Sequence, residues 1–270
     1  MQHSVGNRRK ARRDRFGIAL LVSAILIGSA LIAISRYVQS SRPVLDNVTM
    51  CPVVGPNGLV VLLVDTTDPL TGTQQADLKN HLEEIKANLP KYFAIDVYAV
   101  SDTKGGLLKP LGARVCNPGD GRDSSALTSN PHMIKQNWDN RFSAPLDKLF
   151  GEMLSTPSAD ESPIFESIQS IAVTAFGRLP KATTNRKLII VSDMLQNMPE
   201  YSQYHQIGTF EDLRRSPYYQ RIAADLRGVE VELYYIRRDA AMQGTKHIEF
   251  WQKYFKDSGA ALVHVVALQG

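Results

Sequence analysis

Leu59-Val60-Val61-Leu62-Leu63-Val64-Asp65-Thr66-Thr67-Asp68 is the stretch that decides the fold. Apolar residues run without interruption from Leu59 to Val64 and then meet an acidic, hydroxyl-rich turn. A continuous run of this length reads as a strand covered on both faces, the middle of a parallel sheet. The carboxylate at its end falls on the edge where open α/β sheets bind ligands, so Asp65 is the first candidate residue. Leu188-Ile189-Ile190-Val191 repeats the pattern and ends in Ser192-Asp193.

Working outward, Leu78, Leu82, Ile85 and Leu89 recur at helical spacing across 73–89, and Pro90 stops that helix. Residues 93–100 read as a strand, and the short run 111–116 as another. Residues 132–155 read as helical material broken near Pro145. The cleanest helix spans 163–177, with Ile164, Phe165, Ile168, Ile171, Ala172, Ala175 and Phe176 on one side. Ser162 and Pro163 sit at its N-cap and first-turn positions. A polar, aromatic-containing loop is expected over 194–216, and a helix from Ser216-Pro217 to Gly228. A strand over 229–236, a helix marked by Ile248, Trp251 and Phe255, and a last strand over 261–268 follow. Strands alternating with helices give an α/β fold: a doubly wound, mostly parallel sheet with helices on both faces.

The chain has 270 residues, 43% apolar and 21% charged, with a net charge of +4. The basic excess is local: Arg8, Arg9, Lys10, Arg12, Arg13 and Arg15 cluster at the N-terminus. From residue 36 onward 25 Lys and Arg face 26 Asp and Glu. A nucleic-acid reading therefore has no basis in the main domain. Gly17 to Ile34 carries no charge, and at 1.5 Å per residue it makes about 27 Å of helix, enough to cross a hydrocarbon core. Its cations lie ahead of it, so the positive-inside rule puts the N-terminus in the cytoplasm and the rest outside. The run is longer than the apolar region of a signal peptide and lacks an Ala-x-Ala cleavage pattern, which favours a retained single-pass anchor. The expected organisation is a basic tail (1–16), a transmembrane anchor (17–35), a linker (36–57) and one domain (58–270). The anchor and charge flank suit a bacterial inner membrane with the domain in the periplasm; a eukaryotic type II protein reads similarly.

Cys51 and Cys116 both follow the anchor, and an oxidising compartment permits a disulfide between them; two buried thiols are the alternative. The histidines are scattered without metal-ligand spacing.

Asp65-x-Thr67, Ser162-Pro163 and Asp193 together resemble the metal-ion-dependent adhesion site of the von Willebrand factor A (integrin I-like) fold. That family uses an Asp-x-Ser-x-Ser turn after one strand, a Thr or Ser ahead of a later helix, and an Asp after the fourth strand. Ser162-Pro163-Ile164-Phe165 is similar to the family's Thr-Pro-Leu-Tyr. The resemblance covers about residues 58–270. It implies that Asp65, Thr67, Ser162 and Asp193 hold Mg²⁺ or Mn²⁺; Asp68, beside Pro69, is a candidate for an additional ligand. The metal would then take an acidic side chain from a protein partner, so the implied activity is recognition, not catalysis. Hard divalent cations do prefer such oxygen ligands. The sequence departs from the pattern at Pro69, which stands where the third hydroxyl belongs.

Other readings stay open. Ser162 could be only a helix cap, and Asp65 and Asp193 could accept backbone N–H bonds in turns. A metal-free structural subunit of a membrane-spanning secretion, transfer or defence assembly fits the same sequence. Asp65-Thr66-Thr67-Asp68 also resembles the Asp-x-Asp-x-Thr of aspartate-nucleophile phosphatases, but Thr67 occupies the place of the second acid. Tyr201, Tyr204, Tyr218 and Tyr219 could form a binding surface or be packing.

Overall fold

Strand β1 (Gly58–Val64) is buried at every position. Leu59, Val61 and Leu63 join one core and Val60, Leu62 and Val64 the other, as the two-residue period of a strand requires when both faces are covered. The computed structural model describes residues 20–37, 43–101, 106–122, 130–154, 159–180, 183–204 and 208–268, with only the backbone at 261–263.

Five further strands complete the main sheet: β2 (Phe93–Ala99), β3 (Val115–Cys116), β4 (Asn185–Ser192), β7 (Glu230–Tyr235) and β8 (Ala261–Ala267). A separate hairpin pairs β5 (Asn197–Met198) with β6 (Tyr201–Ser202). The sheet order is β3-β2-β1-β4-β7-β8, parallel except for the antiparallel edge strand β3. The chain leaves β1 toward one edge and returns at β4 to build toward the other. The strand order thus reverses between β1 and β4, which is where open α/β sheets place their ligand crevice.

One face carries α2 (Gly72–Asn88) and the run α3 (Pro131–Trp138) to α4 (Ala144–Leu154). The other carries α5 (Ile164–Ile171), α6 (Phe210–Arg215), α7 (Tyr219–Ile222) and α8 (Thr245–Asp257). All seven apolar residues expected on the helix after Ser162 are buried, and its last turn, Ala172–Phe176, is π-helical.

Three local expectations change. No break occurs near Pro145; a π turn over Asp139–Ser143 joins α3 to α4, and Ala144 donates to the Asp139 carbonyl. Such a turn absorbs the proline without ending the helix. The helix expected from Pro217 is the short α7, after which Ala223 turns extended, and Leu226 is buried from a non-helical segment. The loop expected over 194–216 holds the β5–β6 hairpin and α6, which Thr209 caps by accepting from the Asp212 N–H.

The compact unit runs from Leu45, so much of the stretch expected as linker belongs to it. Met50 and Cys51 are buried, Leu45 bridges to Pro52, and Cys51 is bonded to Cys116 on β3. The Cys116 N–H also donates to the Thr49 carbonyl at 2.8 Å. The other unit contains α1 (Leu20–Tyr37), an 18-residue helix of mean hydropathy 1.9. It is long and apolar enough to cross a membrane, and a signal sequence has the same properties; residues 17–19 of the expected anchor lie outside the described residues.

Candidate site at the carboxyl edge of the sheet

Asp65 leaves β1 with its N–H bonded to the Val191 carbonyl of β4 at 2.8 Å, so the two strand ends are in register where the site forms. It is 4% exposed, and hydroxyl groups surround its carboxylate. Thr67 donates to Oδ1 through Oγ1 at 2.6 Å and through its N–H at 3.1 Å. Ser192 donates to Oδ2 at 2.8 Å and Ser162 to Oδ2 at 3.3 Å. A buried carboxylate is tolerated only when hydrogen bonds replace its water, and these supply that replacement.

Ser162 is not a helix cap. Pro163 holds the cap position with no side-chain bond, and in the first turn of α5 it is Gln196 whose Oε1 accepts from the Phe165 N–H, at 2.9 Å. A backbone bridge between Ser162 and Asn197 aims the hydroxyl at Asp65 instead. Helix α2 is started by its own Thr71–Gln74 capping box and not by the turn that carries Asp65 and Thr67.

Asp193 is also buried. Its Oδ1 accepts from the Leu195 N–H at 2.8 Å, and its Oδ2 lies 3.1 Å from Arg238 Nε. Burial and the nearby Asp65 carboxylate push Asp193 up to about 7, against the opposing pull of the Leu195 amide and the Arg238 guanidinium. Met194 follows with a positive φ of 61°. Its strained turn is held from several sides: its N–H donates to Ser192 Oγ, and its carbonyl accepts from Trp251 Nε1 at 2.9 Å and faces His247 Nε2 at 3.1 Å.

Sequence reasoning missed Ser192, Gln243 and Arg238. The first stands beside Asp193 and was legible as one more strand-end hydroxyl. The other two lie in the loop between β7 and α8, where nothing in the local pattern marks them. Arg238 donates from Nη1 to the Pro69 carbonyl at 2.7 Å and from Nη2 to the Asp68 carbonyl at 3.1 Å. Asp68 therefore takes part through its backbone, and among the described residues no side-chain hydrogen bond of Asp68 brings it into the cluster. Of the four tyrosines, Tyr201 and Tyr218 stack on each other beside Phe165, and Tyr219 bonds Asp257. Tyr204 is 41% exposed. Burial and the charges of Asp193, Asp68 and Asp65 raise the pKa of its hydroxyl.

The donor chemistry decides whether these residues fit Mg²⁺ or Mn²⁺. Thr67 and Ser162 do: a carboxylate that accepts their protons leaves hydroxyl lone pairs free for an ion. Pro69 and Asp193 do not. Pro69 offers no side-chain oxygen, its carbonyl is engaged by Arg238, and Asp193 is ion-paired to the same guanidinium. Among the described residues no three His, Cys, Asp or Glu side chains form a metal-holding group. As arranged, the set does not fit a divalent ion, because a fixed positive charge already occupies its carboxylate partner.

No protein-family model and no curated protein matches the sequence. Among solved structures, the chain is similar to a von Willebrand factor type A protein from Catenulispora acidiphila, at 11% identity and a TM-score of 0.39. The likeness covers 76% of this chain and 42% of that one. The strand order, with its antiparallel edge strand, and the segments meeting at the sheet's edge are the ones that the resemblance to the von Willebrand factor A fold leads one to expect.

Proposed function

We propose that the protein is a membrane-anchored protein-binding module that presents the carboxyl edge of its sheet, rimmed by Tyr204 and Arg238, to a protein partner. One observation carries the reading. Tyr204 is left exposed within electrostatic reach of Asp193, Asp68 and Asp65, while its neighbouring tyrosines are packed or bonded. A large aromatic with a polar tip at such an edge has the character of an interface anchor. The acidic partner group implied by a bound metal loses its support without the metal. Asp65, Asp68 and Asp193 set against Arg238 favour a basic group on the partner.

The test is a photo-crosslinking residue at position 204 of the full-length protein in its own membranes. A discrete adduct is expected from position 204 and not from position 173, an exposed site elsewhere. Equal labelling at both positions, or none at 204, would overturn the reading.

A further inference from the structure

We infer that Arg238 is the cation of this site, a tethered guanidinium that joins the turn after β1 to Asp193 in place of the divalent ion that the sequence resemblance implies. The inference rests on the edge being the functional site, but it does not depend on which partner binds there.

Arg238 reaches three pieces of the edge together: the carbonyls of Asp68 and Pro69 in the turn after β1, and the carboxylate of Asp193 after β4. A metal ion at a strand-order reversal joins the same two strand ends by drawing their oxygens to one charge. A guanidinium does so with directed N–H donors. The departure at Pro69 fits this substitution. The residue that cannot offer a hydroxyl to an ion offers its carbonyl to Arg238.

The arginine is also held in place. Gln243, 3% exposed, accepts from the N–H of Arg238 at 2.6 Å and of Asp239 at 2.8 Å. Its Nε2 donates to the Ile236 carbonyl at 2.7 Å and to the Asp193 carbonyl at 3.0 Å. One buried amide therefore fixes both the loop that carries the cation and the strand end that receives it. Gln243 is a positioning residue, and Arg238 makes the contact. Replacing a diffusible ion by a tethered one makes the edge independent of metal supply.

The experiment is a titration of the full-length protein in detergent with MnCl₂ and MgCl₂, followed by calorimetry and by thermal unfolding. Wild type should show no binding that Asp65→Ala removes and no shift in unfolding temperature. Arg238→Gln should unfold at lower temperature and gain Mn²⁺ binding, with a metal-induced rise of about 5 °C at saturating ion that a second Asp65→Ala change abolishes. Arg238→Lys keeps the charge without the fork; it should be destabilised and remain indifferent to Mn²⁺. Wild-type Mn²⁺ or Mg²⁺ binding that depends on Asp65 would overturn the inference. So would an Arg238→Gln protein as stable as wild type, or a Mn²⁺ response in Arg238→Lys. If Arg238→Gln does not fold, the wild-type and Arg238→Lys titrations decide. Failure here leaves the crosslinking result at position 204 intact, and the converse also holds.

Discussion

His247 is fully buried beneath the Asp193–Met194 turn, with its Nδ1 2.6 Å from the Tyr235 hydroxyl. Burial lowers its pKa from 6.5 to about 4. A base whose folded pKa is depressed stabilises the fold above its unfolded pKa, and that contribution is lost as pH falls from about 6.5 toward 4. The loss amounts to about 3 kcal/mol by pH 4. Asp193, raised to about 7, has the opposite sign, since its burden grows as pH rises from about 4 to 7. Urea unfolding from pH 4.5 to 7.5 should therefore show a shallow slope in wild type. In His247→Gln, stability should fall as pH rises; a slope unchanged from wild type would refute the assignment. At Asp65, substitution by Ala leaves the Thr67, Ser162 and Ser192 hydroxyls without their acceptor and should cost about 3 kcal/mol in the same measurement. Asp68→Ala, whose carboxylate makes none of these bonds, should stay within about 0.5 kcal/mol.

At the scale of elements, Thr71→Ala removes the capping box of α2 and should lower stability by about 1 kcal/mol, read as a shift in the urea midpoint. The disulfide closes a loop of 65 residues between Cys51 and Cys116. Replacing both cysteines by Ala should cost about 4 kcal/mol by the loop-entropy account, measured against the oxidised protein. The large elements were legible because burial on both faces writes itself as unbroken apolar runs, as in β1 and β4, and because the helix after Ser162 repeats at 3.6 residues. Where tertiary contacts decide, the sequence was silent or misleading. Ser216-Pro217 looks like a helix start, yet Ser216 closes α6 and α7 lasts one turn. Ser162 reads equally as a cap or a site hydroxyl until the bridge to Asn197 chooses. Asp65, Thr67, Ser162 and Asp193 do come to one edge. Arg238, which pairs with Asp193 and holds the turn after β1, was invisible because a loop arginine beside Arg237 and Asp239 reads as an ordinary solvated turn.

For the whole molecule, the apolar helix α1 ahead of a disulfide-bearing domain predicts a distribution between fractions. The full chain should stay with membranes after alkaline carbonate washing, and a chain starting at Leu45 should not; release of both would mean that α1 does not act as an anchor. The bond between Cys51 and Cys116 has a further, mechanical consequence. Any pull transmitted along the chain from α1 enters the domain at the segment around Leu45 and meets Cys51 before it meets β1. With the bond intact, the force passes straight to Cys116 on β3, and the span holding β1, α2 and β2 bears no tension along its length. In a single-molecule stretching experiment between the chain ends, that span should stay hidden. Reductant should release about 220 Å of additional contour length, at the reach of an extended chain. A load on α1 would thus leave the strand that carries Asp65 unstretched for as long as its surroundings stay oxidising.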